Sequence, residues 1–347
     1  MTTKTIQSLL ETLPVITCVG SKEKIIEDLT IDSRTAALGM LFIAQKGETV
    51  DGHDFIDGVI EKGAEIIVCE ILPSAIKDTI TYIQVTDTHH ATGIIAEWFY
   101  EFPAKQLTII GVTGTNGKTT VATLLWQSFR LLGHKTGLIS TVSYWIDDKE
   151  IPSTHTTPGA LVLQKLFRTM LNTGCSHVVM EVSSHAIAQD RISGIDFRAG
   201  IFTNLTQDHL DFHKTMENYR DTKKKFFTTL SSNSIAITNS DDENGAYMID
   251  TTFAKKVSYG ISHAADYKAE NISLNTQGST FELENSPVYS MLLGSFNLSN
   301  SLAVYATLRE LGYAKDIVIS LRHISQPRYH MKMRETTMLV LYHSNVI

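Results

Sequence analysis

The feature that most restricts what this chain can fold into is the run Leu107-Thr108-Ile109-Ile110-Gly111-Val112 leading into Gly114-Thr115-Asn116-Gly117-Lys118-Thr119-Thr120. An amphipathic pattern over residues 118–132 follows and stops at Gly133. A compact apolar run, a glycine turn and a 3.6-residue period, in that order, spell a buried strand, a phosphate loop and a helix. Glycines let backbone N–H groups approach phosphate oxygens, the start of a helix favours negative charge, and Lys118 neutralises what the backbone cannot. Thr119 is placed to put its hydroxyl on a Mg²⁺ that bridges the phosphates. The general pattern G-x-x-x-x-G-K-[ST] is met only approximately, because Val112 stands five before Gly117 and Gly111 comes one place early. A chance glycine turn is the competing reading, and the strand before and helix after argue against it.

Other apolar runs fit an α/β chain around that unit. Residues 138–141, 177–182, 199–202 and 235–238 read as buried strands with helices between several of them, which predicts a mostly parallel sheet flanked by helices. A last clear helix covers 298–311, with Leu298, Leu302, Tyr305 and Leu308 on one side and Gly312 at its end. Ahead of the loop, a short amphipathic helix carries Ile6, Leu9, Leu10 and Leu13. The runs Met40-Leu41-Phe42-Ile43-Ala44 and Glu65-Ile66-Ile67-Val68-Cys69 then flank a helical segment near 55–62. That is a small α/β domain, closed by a helix over 88–100 and a linker over 102–106. At 347 residues the chain exceeds what one core usually serves. The expected division is 1–104, 105–313 of P-loop ATPase type, and 314–347, where the pattern deteriorates.

Composition removes several function classes. A net charge of -7 argues against a nucleic-acid binder, which needs clustered positive surface. Cys18, Cys69 and Cys175 are odd in number and far apart, so neither a disulfide framework nor a zinc site is expected. No stretch approaches the length of a membrane span and the N-terminus lacks a signal pattern. A cytoplasmic monomer is the expectation.

Two further features carry chemistry. Over 216–230, Met216, Tyr219, Phe226, Phe227 and Leu230 form one helical stripe, and Lys223 falls on it while Lys224 and Lys225 lie on a wet face. A core-facing lysine is costly unless paired, neutralised or modified, and one outcome is a carbamate formed with CO₂, a carboxylate-like metal ligand. On the residues alone, a lysine snorkelling from the stripe edge is the better reading. In Thr206-Gln207-Asp208-His209-Leu210-Asp211-Phe212-His213, the residues His209, Asp211 and His213 would share a face if extended. Imidazole and carboxylate suit a divalent metal. This cluster and Glu181 each follow an apolar strand, where open α/β sheets bind ligands, and that shared position favours a metal site over separate loop groups.

Taken together, residues 113–120, Thr154-His155-Thr156-Thr157-Pro158, Met180-Glu181-Val182-Ser183-Ser184-His185 and Asn204-Leu205-Thr206-Gln207-Asp208-His209-Leu210-Asp211 resemble the Mur ligases. Within that family the resemblance is to the branch that adds a diamino acid as third residue of the peptidoglycan stem peptide. It covers roughly 29–312 in matching order and explains the early glycine, since the family's loop is T-G-T-N-G-K-T-T. It implies a UDP-sugar-binding N-terminal domain. It also implies transfer of the γ-phosphate of ATP to the D-glutamate carboxylate of UDP-N-acetylmuramoyl-L-alanyl-D-glutamate, and attack on the acyl phosphate by a diamino acid; meso-diaminopimelate is favoured over L-lysine, although the motif that separates the two lies in the third domain. Lys118 would stabilise the transferring phosphoryl group. Glu181, His209, carbamylated Lys223 and Thr119 would hold Mg²⁺, which reverses the snorkelling reading. Gly114 to Thr120 would bind ATP, with Asn297 and Asn300 on the adenine side; Asn297 could equally be a helix N-cap. Ser33 in Asp32-Ser33-Arg34 would contact the uridine diphosphate. Thr156, Thr157, Ser183, Gln189 and Arg191 would contact the muramoyl-dipeptide end, Arg191 by gripping a carboxylate bidentately.

The tail departs from the family. Where its members continue with a G-R-M-E turn, a strand ending in D-Y-A-H and a third domain for the incoming amino acid, this chain has Lys332-Met333-Arg334-Glu335 and Leu339-Val340-Leu341-Tyr342-His343-Ser344. The expectation is a chain that binds ATP and completes ligation poorly or not at all. A noncatalytic nucleotide- or UDP-sugar-binding remnant and a folylpolyglutamate synthetase-like ligase are the alternatives. The N-terminal Asp32-Ser33-Arg34 domain speaks against the latter.

Overall fold

In the computed structural model, which describes residues 3–47, 50–276 and 278–320, the first apolar runs build a small sheet. Helix α1 (Ile6–Leu10) begins at Thr5, whose hydroxyl accepts the Ser8 amide at 3.3 Å, a local cap for otherwise unpaired N–H groups. The chain continues through β1 (Thr17–Val19), β2 (Asp28–Thr30), β3 (Met40–Ile43), α2 (Ile56–Glu61), β4 (Ile66–Cys69), β5 (Thr81–Gln84) and α3 (Thr88–Phe99). Among the described residues these strands pair in the order β1-β5-β4-β3-β2, parallel except for β1 against β5. Successive strand residues point to opposite faces. Leu41, Ile43, Ile66 and Val68 therefore pack toward α1 and α3, while Phe42, Ile67 and Cys69 pack toward α2. Cover on both faces is why β3 and β4 are continuously apolar.

After a 3₁₀ turn at Pro103–Gln106 the second sheet begins. Its elements are β6 (Thr108–Thr113), α4 (Lys118–Leu131), β7 (Thr136–Ile139), β8 (Ser143–Ile146), β9 (Lys149–Pro152), α5 (Ala160–Asn172), β10 (His177–Glu181) and α6 (Ser184–Ala188). Then come β11 (Phe197–Phe202), α7 (Leu210–His213), α8 (Met216–Thr228), β12 (Ile235–Asn239), α9 (Gly245–Ile249), β13 (Lys255–Gly260) and β14 (Tyr267–Lys268). The strand order is β14-β13-β12-β11-β6-β10-β7-β8-β9 among the described residues. The expected parallel sheet is present, with an antiparallel extension through β8 and β9 at one edge. β10 and β11 flank β6 on opposite sides. That reversal of direction opens a crevice at the carboxyl ends of these three strands.

Two apolar layers hold the sheet. Ile110, Val112, Val121, Leu125 and Phe129 join α4 to one face, and Ile109, Phe167, Met170, Phe226 and Phe227 join α5 and α8 to the other. Each such fully buried large side chain stabilises by about 1.5–3 kcal/mol. Gly111 has a packing role: a Cβ there would lie 2.7 Å from the Phe226 ring. The glycine that sits one place early for a phosphate motif thus serves the approach of α8.

An antiparallel sheet of β15 (Glu270–Asn275), β16 (Gly278–Leu283) and β17 (Ser286–Ser290) follows, then α10 (Ser295–Glu310) and α11 (Lys315–Ser320). The sequence pattern placed apolar residues on one side of α10. In the fold Ala303, Val304, Ala306 and Thr307 are buried as well as Leu298, Leu302, Tyr305 and Leu308. The helix lies between the β15-β16-β17 sheet and the main core, so two faces are covered. The tail motifs at 332–335 and 339–344 lie outside the described residues. Among the described residues no helix is long and apolar enough to cross a membrane.

Candidate active site

The loop between β6 and α4 is shaped by two glycines in conformations that side chains rarely adopt. Gly114 has φ +148° and a Cβ there would fall 1.9 Å from Thr203 Oγ1; Gly117 has φ +84° and its Cβ would meet Asn300 Oδ1 at 2.5 Å. Asn204, just past β11, braces the loop: its backbone carbonyl accepts the Thr115 amide at 2.8 Å and its Oδ1 accepts the Asn116 amide at 2.9 Å. Two loop amides are therefore already engaged, which leaves the start of α4 as the open donor end. Lys118 Nζ donates back to the carbonyls of Gly114 (3.0 Å) and Thr115 (2.7 Å). Burial lowers the Lys118 pKa, against the pull of Glu181 and Asp208.

A polar cavity of about 290 Å³ opens on this loop, and its wall brings together Lys118, Thr119, Glu181, Ser183, His209 and Lys223, with Thr115, Asn116, Gly117, Thr120 and Thr156 beside them. Glu181, at the end of β10, is fully buried. Its Oε1 accepts Thr119 Oγ1 and the Thr141 amide, each at 2.8 Å, and its Oε2 accepts Thr141 Oγ1 at 3.1 Å. Burial raises its pKa, opposed by the Thr141 and Thr119 hydrogen bonds and by the charge of Lys118.

Lys223 is 1% exposed, so it does not snorkel. α8 is capped at Thr215, whose hydroxyl accepts the Asn218 amide. That fixes a helix phase in which Tyr219, Lys223, Phe226 and Phe227 all point inward. Lys223 Nζ donates to the Gly114 carbonyl at 2.9 Å, the same oxygen that Lys118 reaches. Burial, and then repulsion from Lys118, hold its pKa well below the usual lysine range. Lys224 instead pairs with Asp250 and lies 3.7 Å from the Tyr247 ring centre.

The His209, Asp211 and His213 set does not form one face. His209 sits in the left-handed region at φ 51° and α7 follows it, so the three residues are on a helical turn and not an extended strand. His209 lines the cavity, packed edge-on against His185 at 5.0 Å between ring centres. Asp211 is exposed, and His213 is buried with Nε2 2.8 Å from Ser184 Oγ. Burial first, then the nearby titratable groups of His185, Lys223 and His209, push the His213 pKa down to about 4. Among the described residues no group of three or more His, Cys, Asp or Glu side chains is arranged to hold a metal ion. The expected ligand set combines one carboxylate, one imidazole, one hydroxyl and a lysine instead.

A second cavity of about 250 Å³ lies between the two sheets' helices, with Ile31, Gln45 and His89 on one wall and His155, Gln189 and Arg191 on the other. Arg191 Nη1 donates to the Thr157 carbonyl at 2.8 Å and its Nε to Gln189 Oε1 at 2.9 Å. Thr157 is buried and faces neither cavity; its hydroxyl donates to the Glu181 carbonyl at 2.7 Å and accepts the Ser183 amide. Ser183 caps α6. Ser33 lines neither cavity and its carbonyl accepts Lys62 Nζ. Asn300 is buried against Gly117. Asn297 is not an N-cap: Gly294 holds that position, and Asn297, inside α10, donates from Nδ2 to the Leu293 carbonyl. Thr141, Asn204 and Tyr219 escaped the sequence reading as site residues. Asn204 lay inside a quoted motif and Tyr219 on the helical stripe, but Thr141 carried no local signal.

Comparison with known proteins gives a consistent picture. Residues 112–308 match the model described as Mur ligase middle domain, and residues 25–100 the one described as Mur ligase family, catalytic domain. A Bacteroides fragilis protein named UDP-N-acetylmuramoyl-L-alanyl-D-glutamate--2,6-diaminopimelate ligase is 45% identical over 90% of this chain and 65% of its own length. One of the same name from Cytophaga hutchinsonii is 46% identical over the same shares. A solved structure of a protein of that name superposes with a TM-score of 0.78 at 24% identity, covering 92% of this chain and 66% of that one, a likeness of fold. The chain thus spans about 65% of the length of the curated relatives it matches.

Proposed function

The chain belongs to the Mur ligase family, and from that premise we propose that it works in the ATP-dependent addition of a diamino acid to UDP-N-acetylmuramoyl-L-alanyl-D-glutamate, the activity for which its relatives are named. The observation that carries the reading is the meeting, in one cavity, of Lys118 and Thr119 from the loop, Glu181 from the neighbouring strand end and buried Lys223. Lys118 lies where a cation can stabilise charge growing on a transferring phosphoryl group. The second cavity, with Arg191 and Gln189 on its wall, suits the muramoyl-dipeptide end, because a guanidinium grips a carboxylate with two parallel hydrogen bonds. The match of residues 25–100 favours this over a folylpolyglutamate synthetase-like activity.

The residues present fit Mg²⁺. Glu181 and Thr119 offer hard oxygen donors 2.8 Å apart, and His209 lines the same cavity. Lys223 as an amine does not suit a place beside a cation, but as a carbamate it does. Its burial, and then the charge of Lys118, disfavour the ammonium form and so favour the nucleophilic amine. The nitrogen lone pair attacks the carbon of CO₂ as one C=O π pair moves onto oxygen, the nitrogen gives up a proton to water, and a carboxylate-like carbamate results. Mg²⁺, held by Glu181, Thr119 and His209, would supply charge neutralisation to the phosphates. We further place the chain in the cytoplasm as a monomer, where ATP and nucleotide sugars are at hand.

The test is incubation of the full chain with ATP, Mg²⁺ and UDP-N-acetylmuramoyl-L-alanyl-D-glutamate, with and without meso-diaminopimelate or L-lysine, following ADP and product. ADP and amide product dependent on meso-diaminopimelate are expected. Binding of both nucleotides without turnover would replace the ligase reading with a nucleotide- and UDP-sugar-binding role, and absence of ATP binding would sink both.

A further inference from the structure

The second cavity has walls of opposite hydrogen-bonding character. One wall carries Arg191, whose guanidinium has donors only. On the facing wall, what the partners can do fixes how Gln45 and His89 are turned. Thr92 Oγ1 donates its one proton to the Thr88 carbonyl at 2.7 Å, so it offers Gln45 a lone pair. Gln45 therefore turns Nε2 toward Thr92, at 2.7 Å, and Oε1 away from it. His89 is the second residue of α3, fixed there by its amide, which donates to Asp87 Oδ1 at 2.8 Å. Its Nε2 lies 2.9 Å from the Lys46 carbonyl. A carbonyl only accepts, so Nε2 carries the proton and Nδ1 of the neutral ring is a lone pair. Nδ1 has no partner among the described residues.

Ile31, two residues before Ser33, lines the same cavity as Arg191. A ligand with its uridine end near Asp32-Ser33-Arg34 and a carboxylate on Arg191 therefore passes Gln45 and His89 with its middle. In UDP-N-acetylmuramoyl-L-alanyl-D-glutamate that middle is a diphosphate followed by an amino sugar. The diphosphate has acceptors only and is repelled by lone pairs, whereas the sugar brings hydroxyl and acetamido N–H donors that match them. We propose that His89 is a specificity-determining residue whose Nδ1 accepts a hydrogen bond from a hydroxyl or the acetamido N–H of the muramoyl sugar, beside Gln45 Oε1. This rests on the functional reading above.

The experiment is calorimetric titration of the full chain with UDP-N-acetylmuramoyl-L-alanyl-D-glutamate and, separately, with UDP, at about pH 8, above the ordinary imidazole range. The readout is how much more tightly the sugar peptide binds than UDP. His89→Phe keeps a ring but removes both nitrogens, and it should lower that ratio about fivefold, the effect of one hydrogen bond, with UDP affinity unchanged. His89→Asn sets an amide oxygen close to where Nδ1 stood and should restore most of the ratio. His89→Lys offers donors only, so it should lower the ratio as well, independently of how well His89→Phe folds. Equal weakening of both ligands by phenylalanine, or tighter binding of both by lysine, assigns the contact to the diphosphate and overturns the proposal. A native ratio in the phenylalanine and lysine variants, or an asparagine variant that behaves like phenylalanine, overturns it too. In each of these cases the native chain still binds the sugar peptide and the functional reading stands; no binding by the native chain would overturn both.

Discussion

Replacing Lys223 with methionine is expected to stabilise the fold while ending ligation. The residue is 1% exposed, its amine lies 4.6 Å from the Tyr219 ring centre at the wall of the polar cavity, and it donates a hydrogen bond to the Gly114 carbonyl. Lys118 also donates to that oxygen at 3.0 Å, so deletion leaves no unpaired acceptor and costs only about 0.5 kcal/mol. Removing a buried and incompletely bonded polar group returns about 1–3 kcal/mol, and methionine has nearly the same length and fills the space. The net expectation is a gain of about 1–2 kcal/mol by this sum. Its pH dependence follows from the depressed pKa, which burial and Lys118 hold well below 10.5. Between the folded value and 10.5 the unfolded chain binds a proton that the folded chain does not, so native stability rises with pH across that window. Below the window the penalty is complete. Methionine has no such slope, so the gain is largest on the acid side and shrinks toward 10.5. Urea unfolding of both proteins in Mg²⁺-free, CO₂-free buffer at about pH 6 and about pH 9 reads this out as a midpoint shift at constant slope. A variant less stable than the native chain at both values, or a difference that does not vary with pH, would refute the reasoning.

Gly114→Ala forces a side chain into φ +148° and onto Thr203 Oγ1; ATP-analogue affinity should fall more than about tenfold, and calorimetry showing native affinity would contradict the loop geometry. Arg191→Lys removes the planar fork that reaches the Thr157 carbonyl and Gln189. It should weaken UDP-N-acetylmuramoyl-L-alanyl-D-glutamate binding about tenfold with ATP-analogue affinity unchanged, and equal losses for both ligands would mean that the cleft assignment is wrong. Phe129→Ala empties a fully buried position where the ring packs 4.7 Å from His177 and 6.2 Å from Tyr313. Unfolding free energy should drop by about 3–5 kcal/mol, and a loss under about 1 kcal/mol would show that this layer does not hold α4 to the sheet.

The long elements were legible because their signals are local. β3, β4, β6, β10, β11 and β12 are runs buried on both faces, and α4 and α8 carry unbroken 3.6-residue stripes. β1 and β2 are three residues each and the antiparallel β15-β16-β17 sheet is half exposed, so no periodicity marked them. The spacing of His209, Asp211 and His213 suggested an extended face because alternation is the simplest geometry for that pattern. The left-handed turn at His209 and the short helix α7 sent His213 to Ser184 and left Asp211 in solvent. Gly111 looked like a displaced phosphate glycine and is a packing glycine beneath Phe226.

By itself the sequence determined the order of strand, loop and helix, the residue types at the phosphate loop, and the odd placement of Lys223 on an apolar stripe, since each depends on neighbours a few positions away. Which side chains meet was decided by the tertiary structure. Strand order puts β10 and β11 on either side of β6, and only then does Glu181 reach Thr119, 62 positions away, and Lys223 reach Gly114, 109 positions away. Whether Lys223 snorkels or is buried could not be read from its own helix, because the answer depends on what covers that helix. Here Gly111 of β6 and Gly200 of β11 receive Phe226, and the Gly114 carbonyl just past β6 meets the lysine, which makes an awkward side chain one wall of the polar cavity.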